Sequence, residues 1–327
     1  MDFFKAQFTK IPQITPANLS TSTVLITGAN AGLGLEAARE ILKSKPQRLI
    51  LAVRNLERGQ AAVKELSSAK HASTQIDVRQ LDQASFASIK AFADGLSGQK
   101  VDIAILNAGS WSFKWGQTTD GYESDLQVNV LGPALLSLLL LPNLRQAAAS
   151  RAPDAPKPHL SFVSSGLHEM AKFPERSLPT GQMLAALNEQ AKYNGQDRYQ
   201  TSKVLGLLWV KELAKKTSSD EIIINAPNPG FCKTNLMHGS TGIMKYLTKG
   251  FGMALGRAPA DGAKCILDGA MVKGAESHGR YLSEAAVKDE VAFARGAEGA
   301  EIQQKTWNEI IALFKKDGVL PKGAEHL

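Results

Sequence analysis

The sequence predicts an α/β fold in which helices cover both faces of a doubly wound parallel sheet, and three observations support this. Short apolar runs alternate with segments of helical period from Val24 onward, as in strands joined by crossover helices. The runs 103–106 and 222–224 are apolar on both faces, as central strands of a covered sheet are. A glycine-rich turn at 28–34 follows the first run, where sheets of this class bind ligands.

The strands are predicted from short runs rich in Val, Ile and Leu, and the helices from apolar residues that recur every three or four positions. In chain order this gives strand 24–26, helix 36–43, strand 48–53, helix 59–66, strand 74–77, helix 85–96, strand 101–106, helix 122–141, strand 160–164, helix 199–215, strand 222–226 and strand 279–282. No internal repeat appears. We therefore expect one Rossmann-type domain at 23–327 after an N-terminal extension at 1–22.

Two predicted helices are more apolar than a surface helix needs to be. The run 131–141 contains Pro133, precedes Pro142 and is shorter than the ~20 residues of a membrane span, which predicts a buried helix and no span. The stretch 204–210 is apolar on nearly every side. It predicts cover by the sheet on one side and by another helix, or by a second copy in a homodimer, on the other.

Composition excludes several classes of protein. Hydrophobic residues make up 43% and charged residues 21% of the chain, an ordinary balance for a soluble globular domain. The net charge is +7, but Lys and Arg are scattered, which argues against nucleic acid as a partner. The two cysteines, Cys232 and Cys265, fit a reducing compartment, and no signal-peptide pattern is visible, so a cytoplasmic location is expected. No cluster of Cys, His and Asp suggests a metal site.

The segment Thr27–Gly34 follows a strand and opens a helix, which aims backbone N–H groups and a positive helix end at a pyrophosphate. Strand, turn and helix together predict a dinucleotide site, whereas glycines alone would indicate only a turn. In this loop Gly28 permits the sharp turn, Gly32 the approach of phosphate and Gly34 tight helix packing. The expected cofactor contacts of the loop are Gly28, Asn30, Gly32, Leu33 and Gly34.

The end of the second strand predicts the choice of cofactor. A protein that selects NAD carries Asp or Glu there, but this chain has Arg54. A guanidinium can bind a 2′-phosphate with paired hydrogen bonds, so we predict NADPH. An exposed arginine without this role is the alternative.

Two further strand ends are expected to contact the cofactor. Asp77 and Val78 are predicted to close the third strand, where the carboxylate would accept from the adenine amino group. Asn107, Ala108 and Gly109 close the fourth strand and let the backbone lie against the cofactor. A helix cap or a turn is the alternative for each segment taken alone.

Tyr199 and Lys203 are four residues apart, so a helix projects a phenol and an ammonium from one face. A phenol can donate a hydrogen bond and then a proton to a carbonyl oxygen that gains charge during reduction. The pKa of a phenol is about 10 and must fall by roughly three units if the tyrosine is to exchange its proton near neutral pH. This shift corresponds to a free energy of about 4 kcal/mol. An ammonium about 4 Å away contributes a similar amount, so Lys203 is expected to lower the Tyr199 pKa.

Two more polar residues complete the predicted chemistry. Ser165, in a Ser-Ser pair at the end of the fifth strand, is expected to orient the substrate oxygen; a simple turn is the alternative. Asn129 is a polar residue in an apolar helix and must find partners. We expect it to hold a water between Lys203 and solvent.

The T-G-x-x-x-G-x-G turn, Asn107-Ala108-Gly109, Asn129, Ser165, the Tyr-Gln-Thr-Ser-Lys segment and a later Asn-Pro-Gly together resemble the short-chain dehydrogenase/reductase family over roughly 23–282. The resemblance implies Ser165, Tyr199 and Lys203 as catalytic residues with Asn129 as a fourth, and Pro229, Gly230 and Thr234 beside the nicotinamide. The finer pattern resembles the retinol-dehydrogenase-like branch and its soluble fungal members of secondary metabolism. Two departures are Ala31, where relatives often carry Ser, Lys or Arg, and the lack of an N-terminal membrane helix.

The segments 166–198 and 231–257 break the alternation and follow predicted strands, so we predict that they form a lid over the substrate. Ordinary loop packing is the alternative for each side chain that they could present. The candidate pocket residues are His168, Trp111, Trp115, Met237, Met244 and Met253. Together they favour a large lipophilic substrate.

The leading interpretation is an NADPH-dependent reductase of a ketone or aldehyde, able to oxidise the alcohol in reverse. One alternative keeps the cofactor but reduces an activated C=C or C=N bond. Another is a protein that binds NADPH without redox turnover, which would have no use for the Ser, Tyr and Lys set.

Overall fold

The computed structural model describes residues 3–15, 17–151, 156–233 and 256–327. Within them one sheet contains β1 Thr23–Thr27, β2 Arg48–Val53, β3 Gln75–Gln80, β4 Ile103–Leu106, β5 His159–Phe162, β6 Ile223–Asn228, β7 Tyr281–Ser283 and β8 Ala286–Lys288. The strand order is β3-β2-β1-β4-β5-β6-β7-β8. All neighbours are parallel except β7 and β8. The predicted doubly wound parallel sheet of a single domain is confirmed.

The helices are α1 Phe3–Phe8, α2 Gly32–Ile41, α3 Leu56–Leu66, α4 Phe86–Asp94, α5 Ser124–Ser150, α6 Met183–Leu187, α7 Gly195–Lys215, α8 Pro259–Leu267 and α9 Gly296–Lys316. A π turn, Gln127–Leu131, lies within α5, and a second, Asp268–Val272, extends α8. Short 3-10 turns occur at Leu42–Ser44, Ser67–Ala69, Gly166–Met170, Pro174–Ser177, Gln190–Lys192, Ala275–Ser277, Ala292–Ala294 and Ala324–His326.

Side-chain caps explain why two helices begin earlier than predicted. The Asn55 side chain accepts from Arg58 N at 2.8 Å, so α3 starts at Leu56 rather than at 59. The Asn194 side chain accepts from two amides of the next turn, so α7 starts at Gly195, four residues before Tyr199. An asparagine cap satisfies N–H groups that the helix itself leaves free. The apolar period alone does not reveal this first turn.

Other predicted ends also differ from the structure. The third strand does not end at Asp77, because β3 runs to Gln80. The helix predicted to end at 141 continues through Pro142 to Ser150, because Leu144 and Ala147 extend its buried side. The strand β8 and the helix α9 lie outside the predicted elements.

The sheet separates two apolar clusters, as expected for a sheet covered on both faces. Helix α5 belongs to the larger cluster. By length and composition α5 could cross a membrane, but 83% of its apolar window is buried inside the protein. Such burial is typical of a core helix.

Helix α7 is covered by the sheet on one side and by α9 of the same chain on the other. Trp209 of α7 stacks on Trp307 of α9, with ring centroids 4.5 Å apart. Gln303 Nε2 also donates to the buried Glu212 carboxylate at 2.6 Å. The chain itself therefore supplies the second cover predicted for α7, and a homodimer is not required for it.

The segment 166–198 is tied to α9. Glu309 of α9 accepts from the backbone N–H groups of Gly181 and Leu184, each at 2.8 Å. Lys305 donates to Arg176 O and Leu178 O at 2.7 and 2.8 Å. The role of this segment as a substrate lid stays a prediction, as does the 1–22 boundary.

Candidate active site

The strand order reverses between β1 and β4, so the carboxyl ends of these strands form the crevice in which open α/β sheets bind ligands. The turn that leaves β1 has left-handed backbone at Gly28, with φ +67°, and at Gly32, with φ +55°. Glycine adopts this backbone at little cost. A Cβ at Gly34 would lie 2.5 Å from Gly28 O, so only glycine fits there.

The end of β4 is fastened to this turn. Asn107 Nδ2 donates to Thr27 O and Ala108 N donates to Thr27 Oγ1, each at 2.9 Å. Within this frame Ala31 precedes α2 without giving it a side-chain cap, so the first N–H groups of α2 are free to meet a phosphate. Asn30 and Leu33 lie in the same turn and are partly buried. The five predicted loop contacts therefore lie together.

Arg54 follows β2 and is exposed. It forms no hydrogen bond or ion pair with any other part of the chain that the structure describes. A guanidinium without protein partners is free to bind an anionic group. Its placement at the carboxyl edge, one strand from the glycine turn, suits the phosphate of a bound dinucleotide.

The predicted placement of Asp77 and Val78 is wrong. Asp77 lies in the first half of β3 and forms an ion pair with Arg48 at 2.5 Å. Val78 faces α3, where a Cβ at Gly59 would lie 2.5 Å from its Cγ1. Polar and apolar residues alternate along 75–79, which signals a half-buried strand that continues past Asp77.

The residues at the true end of β3 were missed by sequence reasoning. Asp82 Oδ1 accepts from Ala84 N at 3.0 Å. In the amide orientation that satisfies both groups, Gln83 donates to Ala108 O at 3.2 Å and to Val128 O at 3.0 Å. Gln83 thus joins the end of β3 to the end of β4 and to α5. Asp82 and Gln83 take the position at the sheet edge that we had expected for Asp77 and Val78.

Asn129 lies in the π turn of α5 and is 7% exposed. Its side chain accepts from Ser110 N at 2.8 Å and donates to Ser110 O at 2.8 Å and to Ser202 Oγ at 3.0 Å. A Cβ at Gly109 would lie 3.1 Å from Asn129 Oδ1 and 3.8 Å from Lys203 Nζ. The end of β4 therefore rests directly on the Asn129 and Lys203 side chains. Single π turns are frequent at functional sites.

Tyr199, Lys203 and Ser165 meet beneath this edge. The Ser165 side chain lies near enough to the Tyr199 hydroxyl to act on its pKa. Lys203 Nζ lies 5.5 Å from the centroid of the Tyr199 ring and donates to Val163 O at 3.0 Å. Helix α7 supplies the phenol and the ammonium, and the loop after β5 supplies the hydroxyl.

In the protein alone the net shift of the Tyr199 pKa is upward, opposite to the net direction that we expected. Burial raises the pKa of Tyr199 to about 12. The Asp125 carboxylate also raises this pKa, whereas the nearby Ser165 side chain lowers it. Burial also lowers the pKa of Lys203 to about 8, which Asp125 partly opposes. Tyr199 is buried and Lys203 is partly buried, with its ammonium directed at Val163 O. Desolvation is therefore the largest influence on both pKa values in the protein alone.

A small cavity lies beside these residues. Its volume is about 20 Å³, and its polar lining comes from Asn129, Ser164, Ser202 and Lys203. Ser164 Oγ is buried and has no hydrogen-bond partner within the described part of the chain. A polar space of this size suits one water molecule.

Trp111 and Phe113 form an aromatic wall beside the Tyr199 phenol. Trp111 stacks on Tyr199 with ring centroids 4.5 Å apart and 12° between the planes, and Phe113 stacks on Trp111 at 5.2 Å. Trp115 packs edge-on against Tyr193 at 5.6 Å. Trp111 therefore lies directly beside Tyr199, and the role of both tryptophans in a substrate pocket stays a prediction.

His168 does not line the pocket, because it is fully buried. Its Nδ1 lies 2.8 Å from Ser165 O, and Val291 N donates to its Nε2 at 3.2 Å. This pattern fits a neutral ring that donates from Nδ1, and burial lowers the His168 pKa. His168 therefore supports the loop that carries Ser165. Its position three residues after Ser165 was the available signal.

An acidic pair holds the starts of the two catalytic helices. Glu123 caps α5 by accepting from Asp125 N and Leu126 N at 2.9 and 2.8 Å. Arg198, which precedes Tyr199, lies 3.4 Å from Glu123, and both side chains are buried. Asp125 accepts from Ser110 Oγ at 2.6 Å. Nothing in the sequence pattern distinguishes this pair from surface acids.

Pro229 and Gly230 follow β6, and Gly230 has φ +77°. A Cβ at Gly262 would lie 2.7 Å from Leu33 Cδ2 and 3.4 Å from Pro229 Cβ, so this loop packs close to the glycine turn. Thr234, Met237, Met244 and Met253 lie outside the described residues. In the described part of the chain, no group of three or more His, Cys, Asp or Glu side chains is placed to hold a metal.

Comparisons with known proteins agree with this geometry. A family model described as short chain dehydrogenase matches residues 22–152. A short chain dehydrogenase of Arthrobotrys oligospora is 37% identical, over 92% of this chain and 95% of the relative. A short chain dehydrogenase/reductase of Annulohypoxylon moriforme is 35% identical, over 96% of this chain and 91% of the relative. The fold is similar to that of an NADPH-bound carbonyl reductase from chicken fatty liver, with a TM-score of 0.62 and 21% sequence identity. The match covers 86% of this chain and 97% of the reductase chain.

Proposed function

The chain belongs to the short-chain dehydrogenase/reductase family, which uses nicotinamide cofactors, and from this premise we propose that it reduces a ketone or aldehyde with NADPH. The substrate is bulky and lipophilic, in keeping with a role in secondary metabolism. The observation that carries the proposal is the meeting of Tyr199, Ser165 and Lys203 below the glycine turn. A protein that only bound the dinucleotide would need the turn alone.

The residues at the crevice fit a dinucleotide. The turn at Gly28 and Gly32 lies below uncapped N–H groups of α2, and Arg54 is exposed without a partner among the described residues. These residues would hold the pyrophosphate and, through Arg54, a 2′-phosphate. When bound, the cofactor supplies the hydride and, once oxidised, a positive charge.

The side chains of the chain handle the proton and the charge on oxygen. Ser165 and Tyr199 lie close together and can present two hydroxyl groups to one carbonyl oxygen. Tyr199 donates its proton to that oxygen as it becomes an alkoxide, which is the stronger base. Lys203 is partly buried beside the ring, and its positive charge would stabilise the phenolate that remains. Ser110, Ser202 and Lys203 surround Asn129, which fixes the polar lining through which a proton can return.

The aromatic wall supports the choice of substrate. Trp111 and Phe113 form a continuous stack that begins on the Tyr199 ring. A flat or extended apolar ketone can bury its surface against such rings. Small polar aldehydes gain little from it.

The test is NADPH consumption against a panel of bulky lipophilic ketones and aldehydes. In Tyr199→Phe we expect kcat to fall about 10²- to 10⁴-fold, with NADPH binding retained. Tyr122→Phe, which changes a tyrosine bonded to Asp317 away from the site, is the matched control and should keep its rate. Turnover of activated C=C or C=N substrates that survives in Tyr199→Phe would favour the first alternative. NADPH binding without any turnover would favour the second.

A further inference from the structure

Residues 6–11 precede the part of the chain matched by the family model, yet they are docked next to the proposed cofactor site. Gln7 is 7% exposed and Ile11 6%. The Gln7 amide donates to Phe231 O at 2.7 Å and accepts from Phe231 N at 3.2 Å. One side chain thus satisfies both backbone groups of a single residue, as a neighbouring strand would.

Arg257 makes the second connection. Its guanidinium is buried and donates to Pro229 O and to Ala6 O, each at 2.9 Å. In the described residues no carboxylate forms an ion pair with it. A buried charge of this kind depends on every carbonyl that surrounds it. The N-terminal backbone is therefore needed to solvate Arg257, and Arg257 in turn holds Pro229.

The loop held in this way separates the two halves of the site. Pro229 approaches Gly262 on the same side as Leu33 of the glycine turn. On its other side, a Cβ at Gly166 would lie 3.4 Å from Asn228 Nδ2, next to the loop of Ser165. Gly230 N donates to Asn228 Oδ1 at 3.0 Å and fixes the bend. A shift of Phe231 would therefore move backbone that lies between the cofactor turn and the catalytic serine.

We propose that the N-terminal segment is part of the cofactor site, with Gln7 and Arg257 as positioning residues that fix the loop Pro229–Phe231 for dinucleotide binding. This rests on the proposed function, because the ligand is the dinucleotide named there. Neither residue touches the reacting atoms. Their effect is to preorganise the loop, so that binding does not have to order it.

The test uses the full chain with Gln7→Met, which keeps the length of the side chain but removes both hydrogen bonds. Gln13→Met is the matched control, because Gln13 is exposed in the same N-terminal segment. Loss of two neutral hydrogen bonds predicts that Gln7→Met raises the NADPH dissociation constant, measured by calorimetry, about fivefold to thirtyfold. The KM for NADPH should rise with it, while kcat stays within about twofold. A merely structural role would lower kcat and stability instead.

Hydrogen exchange of the peptide 227–233 separates this inference from the proposed function. In Gln7→Met the peptide should exchange faster, with no change in Gln13→Met. If the unmodified protein binds no nicotinamide cofactor, the proposed function fails. Faster exchange in Gln7→Met would then still support the role of Gln7 in fixing the loop Pro229–Phe231. Unchanged exchange in Gln7→Met, or faster exchange with unchanged NADPH affinity, would overturn the proposal.

Discussion

Glu123 should make the protein less stable as the pH rises from 5 to 8. Burial, opposed by hydrogen bonds from Asp125 N and Leu126 N, raises the pKa of this carboxyl from 4.5 to about 7. The folded protein then binds more protons than the unfolded chain between these two values, so the free energy of unfolding falls as the pH rises through that window. The shift corresponds to about 3 kcal/mol, fully lost above the folded pKa.

The perturbation is Glu123→Gln, which keeps an oxygen to cap α5 but cannot ionise. Urea unfolding of both proteins from pH 5 to pH 8 gives two stability curves. Their difference removes the contributions of other titrating groups, among them the buried Asp125, whose pKa burial also raises. We expect the unmodified protein to lose about 3 kcal/mol relative to Glu123→Gln across this window.

Glu189→Gln is the matched control, because Glu189 is exposed and, among the residues that the structure describes, pairs only with Lys192 one turn away. Its curve should run parallel to that of the unmodified protein. A difference between the unmodified protein and Glu123→Gln that stays constant with pH would refute the reasoning. It would mean that water or Arg198 solvates the carboxylate as well in the folded protein as in the unfolded chain.

Three further predictions concern the site. Arg54→Gln should weaken NADPH binding about tenfold to hundredfold, because it removes hydrogen bonds to a charged group. Calorimetry should show unchanged binding of NADH. Equal losses for both cofactors would exclude Arg54 as the residue that selects NADPH. Gly34→Ala puts a Cβ 2.5 Å from Gly28 O and should reduce NADPH affinity at least about tenfold. Gly206→Ala is the control, because its Cβ meets nothing within 4 Å, and it should leave the affinity unchanged. Equal effects of the two substitutions would contradict the close approach of Gly34 to Gly28. Burial lowers the pKa of His168, so the folded protein binds fewer protons and should lose stability as the pH falls below 6.5. In urea unfolding, His168→Gln should reduce the dependence of the unfolding free energy on pH. His71→Gln changes an exposed histidine and should not reduce it. The same dependence on pH in the unmodified protein and both variants would count against a buried neutral His168 ring.

Much of the fold followed from local pattern because the sheet is buried on both faces. The apolar runs 24–26 in β1 and 103–106 in β4 contain no polar residue that would need to be exposed. The position of Tyr199 relative to Lys203 also followed, because helical geometry alone sets the spacing of residues four apart. Helix α9 and strand β8 were not predicted, because no motif distinguishes them from surface segments.

The electrostatics of the site did not follow from the sequence. The distance argument for Lys203 treated its charge as the main influence on Tyr199, but burial of both side chains dominates the pKa of each. Burial is a property of what packs around a residue from distant parts of the chain. A spacing in the sequence carries no information about it.

The sequence by itself determined seven of the eight strands and the glycine turn, and it predicted Ser165, Tyr199 and Lys203 as the catalytic set, because each depends on residue type and short-range spacing. Only the tertiary structure decided that Asp77 belongs to an ion pair with Arg48, that His168 holds the Ser165 loop, and that Gln7 reaches Phe231. These contacts join residues far apart in the chain. They form only when the completed fold removes both partners from water and leaves each as the hydrogen-bond partner of the other.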